Sequence, residues 1–208
     1  MGAAPDLVAA AVADIKRERP RLNVRILGET SDQIGVLLAR HEIELAVGRF
    51  TGPLDHNRFD FCALADEPLC IVVRRGHPLA KRQPLGWDEL VRWPWVLQTL
   101  SSPARLMLED QFAQALVSTP QDVIECSSIF ATLQLLRSGD AIAMLPESVV
   151  RDHVRASLLA VLPVAVGQEM KAFGILTRKD DTLSDVATTF IAYLKARAHS
   201  KAMAAAQG

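Results

Sequence analysis

Short apolar runs alternate with amphipathic helical segments along most of the chain, and this alternation limits the folds open to it. Leu7, Ala11 and Ile15 recur at the spacing of one helical face, whereas residues 95–97 form an apolar run of strand length. Repeated alternation of this kind predicts mostly parallel sheets that are covered by helices on both faces. The expected fold class is therefore α/β.

The same patterns divide the whole chain into elements. Helices are predicted over residues 7–19, after Ser31, after Pro103, after Ser128 up to Gly139, and over residues 183–194. The predicted strands are residues 24–27, 45–47, 59–64, 69–73, 95–97, 122–125, 141–145, 158–162 and 171–177. A polar and Ala-rich tail, residues 200–208, is expected to fray.

Composition favours a folded body of two modest lobes that binds neither nucleic acid nor membrane. Of the 208 residues, 50% are hydrophobic and 23% are charged, which is the balance of a globular protein with a core. The net charge is -1 and the basic residues are scattered, so DNA binding by this chain alone is not expected. No apolar stretch has the length of a membrane-spanning helix and no signal sequence is present, which favours the cytoplasm.

The residue types that hold metals or carry out catalysis are dispersed. Cys62, Cys70 and Cys126 lie in apolar runs without CxxC spacing, which predicts reduced core thiols. The five histidines are isolated from other ligands and are expected at turns or on the surface: His41, His56, His77, His153 and His199. The pairs Asp66-Glu67 and Asp180-Asp181 are expected in solvated turns or caps. With phosphate-binding, nucleophile-elbow and HExxH motifs also absent, no enzyme, cofactor or metal is expected.

Hydroxyl groups occur where predicted strands lead into helices. In a doubly wound sheet, ligands lie beyond the carboxyl ends of the strands, where helix N-termini present unpaired N–H groups. Ordinary N-capping explains each place without a ligand and is the favoured interpretation when each place is taken singly, but ligand binding stays open as the alternative. The candidate binding residues are Thr30, Ser31, Gln98, Thr99, Leu100, Ser101, Ser102, Ser127 and Ser128, with the apolar Ile129, Phe130 and Phe173 beside them.

Arg49 is a further candidate because it directly follows the predicted strand 45–47 and Gly48. At that position its guanidinium would project at the carboxyl edge of the sheet, where it could bind an anionic group with two hydrogen bonds. A solvated surface arginine is the alternative interpretation.

Two motifs resemble the effector-binding domain of LysR-type transcriptional regulators. They are Gly76-His77-Pro78-Leu79-Ala80 and the segment from Leu135 to Pro146, which reads LLRSGDAIAMLP. Arg19-Pro20, residues 42–47 and residues 189–195 occupy matching positions, so the resemblance covers nearly the whole chain. It departs from the family pattern at His41, Glu44 and Ala141.

The resemblance implies a periplasmic-binding-protein-like fold of type II, with two Rossmann-like lobes joined by a two-stranded hinge. Lobe one would comprise residues 1–73 plus 172–208 and lobe two residues 74–171, with crossovers near Arg74 and Lys171. The candidate binding residues would then lie at the cleft between the lobes. Counting back from Arg19-Pro20, most of the family's first strand and its N-terminal helix-turn-helix domain are expected to be missing.

The function that the resemblance implies is sensing of a small effector, with a hinge and dimer rearrangement passed to a DNA-binding domain absent from this chain. Gly48-Arg49-Phe50 and residues 99–103 resemble family members that regulate protocatechuate and galactose-binding-protein genes, which leaves an anionic aromatic or a sugar-derived effector open. A homodimer is expected, with Leu7–Lys16 and Val24–Leu27 of one copy against Ile129–Ser138 of the other. The alternatives are a solute-binding protein of a transporter and an enzyme on the same scaffold.

Overall fold

A computed structural model describes residues 5–28, 31–49, 55–100, 102–167 and 172–206. The helices are α1 Pro5–Glu18, α2 Ser31–Ala39, α3 Asp55–Arg58, α4 Trp87–Leu90, α5 Pro103–Gln114, α6 Ile129–Ser138, α7 Glu147–Arg155 and α8 Asp185–Ala206. The strands are β1 Leu45–Gly48, β2 Phe59–Ala65, β3 Leu69–Arg74, β4 Trp95–Leu97, β5 Val123–Glu125, β6 Ala143–Pro146, β7 Leu159–Val161 and β8 Phe173–Arg178. A short 3-10 helix, Pro78–Lys81, follows β3.

The described residues form two compact units. Unit 1 contains residues 5–66 and 172–206, and unit 2 contains residues 67–167. The sequence placed the first boundary after residue 73, so that β3 belonged to lobe one. In the structure β3 forms antiparallel pairings with β6 and β7, which both belong to unit 2. Because of these backbone hydrogen bonds, β3 belongs to unit 2.

Unit 1 is built on a three-stranded sheet in the order β1-β8-β2, and both pairings are antiparallel. The expectation of mostly parallel sheets is wrong for this unit. Its physical reason is connectivity: β8 enters from the C-terminal third of the chain and inserts between β1 and β2 in the opposite direction. Such a long-range insertion leaves no mark on the local alternation of helices and strands.

The strand predicted at Val24–Leu27 is also absent from the structure. Residues 22–28 have no regular secondary structure, and no backbone hydrogen bond joins residues 23–28 to another described residue. Val24 and Ile26 are 41% and 60% exposed. The apolar residues do alternate as the prediction assumed, but within the described part of the chain this segment has no neighbouring strand to pair with.

Helices α1 and α8 pack together in unit 1. Leu7 and Ala11 of α1 share a core cluster with Leu194 and Ala198 of α8, and Phe173 and Ile175 of β8 complete it. The expectation that residues 200–208 fray is wrong as far as residue 206, because α8 continues to Ala206. Alanine has the highest helix propensity, and Lys201 Nζ donates to Asp6 Oδ2 at 2.7 Å across the helix pair.

Unit 2 contains a mixed sheet. Strand β3 lies between β6 and β7 in antiparallel pairings, whereas β4 and β5 run parallel. A parallel bridge between Trp95 and Ile142 connects β4 to the start of β6, with Val96 N–H donating to Ile142 O at 2.8 Å. The parallel arrangement expected from the sequence therefore holds for β4, β5 and the approach to β6.

Side chains of β4 alternate between two cores. Trp95 and Leu97 pack with Leu108 and Phe112 of α5, whereas Val96 packs on the other face with α6. Because successive side chains of a strand point to opposite faces, this alternation sends α5 and α6 to opposite sides of the sheet.

His77 of the Gly-His-Pro motif lies in the turn after β3, which was one of the two places expected for it, but it is fully buried and not at the surface. Its Nδ1 accepts a hydrogen bond from Leu79 N–H at 3.1 Å, and its Nε2 lies 3.1 Å from Asp140 O. Arg74 forms an ion pair with the Asp140 carboxylate, and the His77 ring packs against Trp93. The histidine is a structural part of the turn that follows β3.

Glu67 also departs from expectation, because it is buried whereas its neighbour Asp66 is exposed. The Ser148 hydroxyl donates to Glu67 Oε1 at 2.6 Å, which explains how the carboxylate is tolerated inside unit 2. The three cysteines are free thiols, of which only Cys70 is buried. Burial raises the pKa of the Cys70 thiol to about 12, and the negative charge of Glu147 adds to the effect.

Candidate functional site

The carboxyl ends of β4 and β5 lie side by side in unit 2. Leu97 pairs with Glu125 at the ends of these parallel strands, and Cys126 N–H donates to Leu97 O at 2.8 Å. Strand β4 leads into α5 on one face of the sheet, and β5 leads into α6 on the other. A crevice where neighbouring connections diverge to opposite faces is the usual ligand position in an open α/β sheet.

The segment after β4 holds Gln98 beside the start of α5. Ser102 is the N-cap residue of α5, and Pro103 is its first helical residue. The Ser102 hydroxyl makes no capping bond and donates to Gln98 Oε1 instead. Ordinary N-capping, which was one of the two readings, therefore does not explain this serine. Leu100 is exposed on the connecting turn.

The segment after β5 follows the ordinary pattern. Ser128 caps α6, because its Oγ accepts a hydrogen bond from Ala131 N–H at 3.3 Å. Ser127 is exposed, and Phe130 in the first turn of α6 is 74% exposed. An exposed phenylalanine beside free helix N–H groups offers a flat apolar surface next to a partial positive charge.

A small concavity lies between β4, α5 and β6. Its volume is about 10 Å³, room for about one water molecule, and it is lined by Val96, Leu97, Gln98, Ala104, Arg105, Leu108 and Met144. Arg105 Nη1 donates to the backbone oxygen of Gln98 at 3.1 Å, and its Nε donates to Glu109 Oε1. The lining is mostly apolar, and Gln98 and Arg105 are its polar members.

Sequence reasoning missed Arg105, although a signal was available. Arg105 is the third residue of α5, so its positive charge stands in the first turn, where the helix dipole disfavours cations. A cation at that position departs from the usual charge pattern, and Glu109 one turn later compensates its charge.

In unit 1 the structure brings Arg49 and Phe173 together. Arg49 follows β1, is only 9% exposed, and its guanidinium carbon lies 5.9 Å from the centre of the Phe173 ring. The guanidinium therefore lies over an aromatic ring, which contradicts the alternative of a solvated surface arginine. Its role in binding an anion stays a prediction. Helix α2 begins at Ser31 as expected. Thr30, Ser101 and the side chain of Ser31 lie outside the described residues.

The candidate residues thus fall into two groups. Unit 2 brings together Gln98, Thr99, Leu100, Ser102, Ser127, Ser128, Ile129 and Phe130 at the ends of β4 and β5. Unit 1 brings Arg49 onto Phe173. That both groups serve one cleft stays a prediction from the resemblance. Among the residues that the structure describes, no cluster of His, Cys, Asp or Glu could hold a metal ion, and no helix could span a membrane.

Comparison with known proteins identifies the family to which this chain belongs. The family model described as the LysR substrate binding domain matches residues 1–199. The chain belongs to the LysR substrate-binding-domain family. The regulator GbpR of Azospirillum brasilense is 29% identical over 202 residues, which is 97% of this chain and 59% of GbpR. PcaQ of Agrobacterium fabrum is 33% identical over 141 residues, which is 67% of this chain and 45% of PcaQ.

Solved structures show the same fold for this LysR-type domain. The regulatory domain of Synechocystis CcmR, in complex with 2-PG, superposes with a TM-score of 0.78 at 21% identity and covers 93% of this chain and 91% of that one. The effector-binding domain of QuiR, in complex with shikimate, has a TM-score of 0.74 at 17% identity and covers 96% and 93%. The expected α/β fold, two-lobed and periplasmic-binding-protein-like of type II, is confirmed. The chain spans little more than half the length of GbpR, and less than half that of PcaQ.

Proposed function

We propose that this LysR-type domain senses a small anionic metabolite, aromatic or sugar-derived, and releases it chemically unchanged. The observation that carries the proposal is the crevice at the ends of β4 and β5, where two helix N-termini and Gln98 meet. Helix N-termini favour anions.

The relatives support the proposal. QuiR is bound to shikimate, a hydroxylated carboxylic acid, and CcmR is bound to 2-PG, so the fold accepts small organic ligands. GbpR and PcaQ are named as transcriptional regulators of the helix-turn-helix type. In a longer regulator of this kind, binding would rearrange hinge and dimer and so reposition a DNA-binding domain in the cytoplasm. Coupling of this sort amounts to about 1–3 kcal/mol in typical allosteric proteins.

A thermal-shift screen tests the function. Aromatic carboxylates, sugar acids and neutral sugars are each added to the domain, and every compound is recovered and identified by mass spectrometry. We expect an acid to raise the melting temperature without conversion to product. Formation of a product would make the chain an enzyme, and failure of every class of compound to shift the melting temperature would remove the proposal.

Matched serine and glutamine variants locate the binding. Gln98→Ala should weaken the stabilising acid about tenfold or more, because a hydrogen bond to a charged ligand contributes about 1.5–3 kcal/mol. Ser102→Ala should weaken it less, because the Ser102 hydroxyl donates to Gln98 Oε1 and acts by orienting that side chain. Their unliganded stability should change little, since neither side chain caps α5. The control is Ser118→Ala, an exposed serine in the turn before β5. Equal affinities for all three variants would place the ligand elsewhere.

A homodimer is the second part of the proposal, through Leu7–Lys16 and Val24–Leu27 against Ile129–Ser138. Its support is the exposure of apolar side chains in Val24–Leu27 and at the start of Ile129–Ser138. Val24 and Ile26 stand on the unpaired stretch of unit 1, and Phe130 stands at the start of α6. Exposed apolar residues that occur in groups mark interaction surfaces.

A further inference from the structure

We propose that two buried polar side chains, Gln111 and Glu67, anchor both chain connections between the units to unit 2, which leaves Asp66 as the pivot of the first connection. Two crossovers are implied by the family's fold, but neither the residues that hold them nor the residue that turns follows from it. This mechanical role is separate from sensing and does not depend on which effector binds.

Gln111 lies in the third turn of α5, on the side of the helix that carries the core residues Leu108 and Phe112, and it is only 4% exposed. Its Oε1 accepts a hydrogen bond from Gly167 N–H at 2.8 Å, and its Nε2 donates to Gln114 Oε1 at 3.3 Å. Burial of an amide costs free energy unless the amide is hydrogen-bonded, and here both of its ends have a partner. The side chain therefore ties Gly167, the last described residue of unit 2, to α5.

The stretch that follows β7, residues 162–167, lies against the core of unit 2. Leu162 is buried, and its N–H donates to Ile71 O at 2.8 Å. Val164 and Val166 pack against the same core cluster as α5. The second connection is therefore held to unit 2 by a backbone hydrogen bond where this stretch begins and by the buried amide of α5 where it ends.

Glu67 anchors the first connection. It is the first residue of unit 2 and is only 2% exposed. The Ser148 hydroxyl donates to Glu67 Oε1 at 2.6 Å, and Glu147 N–H donates to Pro68 O at 2.9 Å. Glu147 and Ser148 open α7, where a carboxylate is favoured by the helix dipole. The chain is therefore fixed to α7 from the residue at which it enters unit 2.

The two anchors lie on opposite faces of the sheet that contains β3. Ile71 and Val73 of β3 belong to the core cluster of α5, whereas Cys70 and Val72 belong to the core cluster that packs with α7. This alternation places α5 and α7 on the two sides of the strand. Both connections are thus attached to helices that pack on one sheet, so their anchored parts should move with unit 2 as one body.

Asp66 is left between the two units in the first connection. On the side of unit 1, β2 pairs with β8 as far as Ala65, which lies opposite Phe173. Asp66 is therefore the single residue between a paired residue of unit 1 and the anchored Glu67. It is exposed, and no described residue forms a hydrogen bond with it. Hinges use a few such positions to absorb changes in φ and ψ, so rotation in this connection should concentrate at Asp66.

Hydrogen exchange and ¹⁵N relaxation of the whole chain test the anchor at Gln111. Gln111→Leu keeps a side chain of similar size but removes the acceptor, so the Gly167 amide should exchange about fivefold faster or more. The order parameters of residues 164–167 should fall below the value of about 0.85 that is typical of rigid backbone, whereas those of α5 should not change. Gln114→Ala is the matched control, because it removes the other partner of Gln111 and leaves the Gly167 bond in place.

A second pair of variants tests the anchor at Glu67. Ser148→Ala removes the hydroxyl donor, so the order parameter of the Glu67 N–H should fall. Glu67→Gln keeps a side-chain oxygen that can accept from Ser148, and this conservative variant should remain as ordered as the wild type.

Residual dipolar couplings test the pivot, because they give the alignment of each unit separately and show how far the two units move independently. Asp66→Gly should reduce the alignment that the units share, since glycine has access to a wider range of φ and ψ. Ala165→Gly is the matched control: it introduces glycine at an exposed residue of the second connection, but within the anchored stretch 162–167. It should leave the shared alignment unchanged.

Exchange of Gly167 at the wild-type rate in Gln111→Leu, or an unchanged order parameter of Glu67 in Ser148→Ala, would overturn the anchors. The pivot is overturned if Asp66→Gly leaves the shared alignment as it is, or if Ala165→Gly reduces it as much. Should Gln111→Leu not fold, Gln111→Met takes its place, because methionine is unbranched and also lacks the amide oxygen. None of these measurements involves an effector, so the sensing function is decided separately.

Discussion

At the residue scale, the burial and the hydrogen-bond partners of individual polar side chains could not be predicted from the sequence. Glu67 was expected in a solvated turn or cap and His77 at a turn or on the surface, yet both are buried with hydrogen-bond partners that are distant in sequence. Asp140 lies 63 residues from His77, and Ser148 lies 81 residues from Glu67. Contacts at such separations depend on tertiary packing, which no local pattern encodes. Arg105 was missed because its pairing with Glu109 looks like an ordinary helix-surface pair.

The buried imidazole of His77 makes stability depend on pH. Burial lowers the pKa of His77 below its ordinary value, although the nearby Asp140 acts in the opposite direction. Its Nδ1 accepts from Leu79 N–H, so protonation of that nitrogen would break the bond. Because the folded pKa lies below the unfolded value of about 6.5, stability is full above that pH and falls as the pH drops below it.

A pair of urea titrations at neutral and at mildly acidic pH checks this dependence. We expect the wild type to lose more stability on acidification than His77→Asn does. Asparagine can still accept a hydrogen bond from Leu79 N–H but does not titrate. His199→Asn, in α8, is the control and should behave like the wild type. An equal loss in the wild type and in His77→Asn would contradict the assignment.

At the element scale, the sequence predicted most helices and strands within a few residues. Helix α6 begins after Ser128 and ends before Gly139 as expected, and strand β4 has the predicted bounds. Strand direction and partnership failed because they depend on pairing between distant segments, as the insertion of β8 between β1 and β2 illustrates. The apolar alternation of Val24 and Ile26 predicted a strand, yet a strand also needs a neighbour to pair with.

Three helices end in a left-handed residue that is not glycine. His41, Leu116 and Ser157 have φ of 57°, 56° and 58° after α2, α5 and α7. At each of these helix C-termini, the N–H of the following residue donates to the carbonyl oxygen five residues earlier, which is the hydrogen bond of a Schellman motif. After α7, for example, Leu158 N–H donates to His153 O at 2.8 Å. His41 is also one of the positions where the chain departs from the family pattern, and its backbone takes the left-handed conformation.

Replacing one of these left-handed residues at a helix C-terminus by glycine should stabilise the protein. We expect Ser157→Gly to raise the free energy of unfolding by about 1 kcal/mol, because a left-handed residue with a Cβ carries a penalty of roughly that size. The adjacent Ala156→Gly is the matched control: Ala156 has φ of -74°, so glycine there should cost about 0.5–1 kcal/mol. Urea unfolding of both variants checks the signs, and destabilisation by Ser157→Gly would be against the argument.

At the scale of the whole molecule, the resemblance carried more information than the local patterns did. It anticipated the two-lobed fold, which the family match and the solved structures confirm. The boundary at residue 73 was displaced to residue 66 because β3 joins the sheet of unit 2. Where two lobes divide depends on which sheet a crossing strand enters, and the apolar run of β3 suits either sheet.

The proposed dimer follows from surfaces that one copy leaves uncovered. Ile26 on the unpaired stretch of unit 1 and Phe130 on α6 of unit 2 are both largely exposed, and the antiparallel arrangement would bring the two segments together twice across a two-fold axis. A stable dimer buries about 1,200–2,000 Å², and a few central apolar side chains carry most of its energy. Both residues are suited to that role.

Sedimentation equilibrium over a concentration series measures the association. Ile26→Asp and Phe130→Asp should each weaken it about 30-fold or more, since a buried hot-spot residue contributes about 2 kcal/mol and a buried carboxylate adds a desolvation cost. Leu116→Asp is the control, because Leu116 is 93% exposed and lies outside the proposed segments. A wild-type chain that stays monomeric, or a Leu116→Asp variant that dissociates as readily as Ile26→Asp, would contradict this interface. Selective weakening at Ile26 and Phe130 would instead mean that the stretch without a strand partner in one copy is covered by α6 of the other.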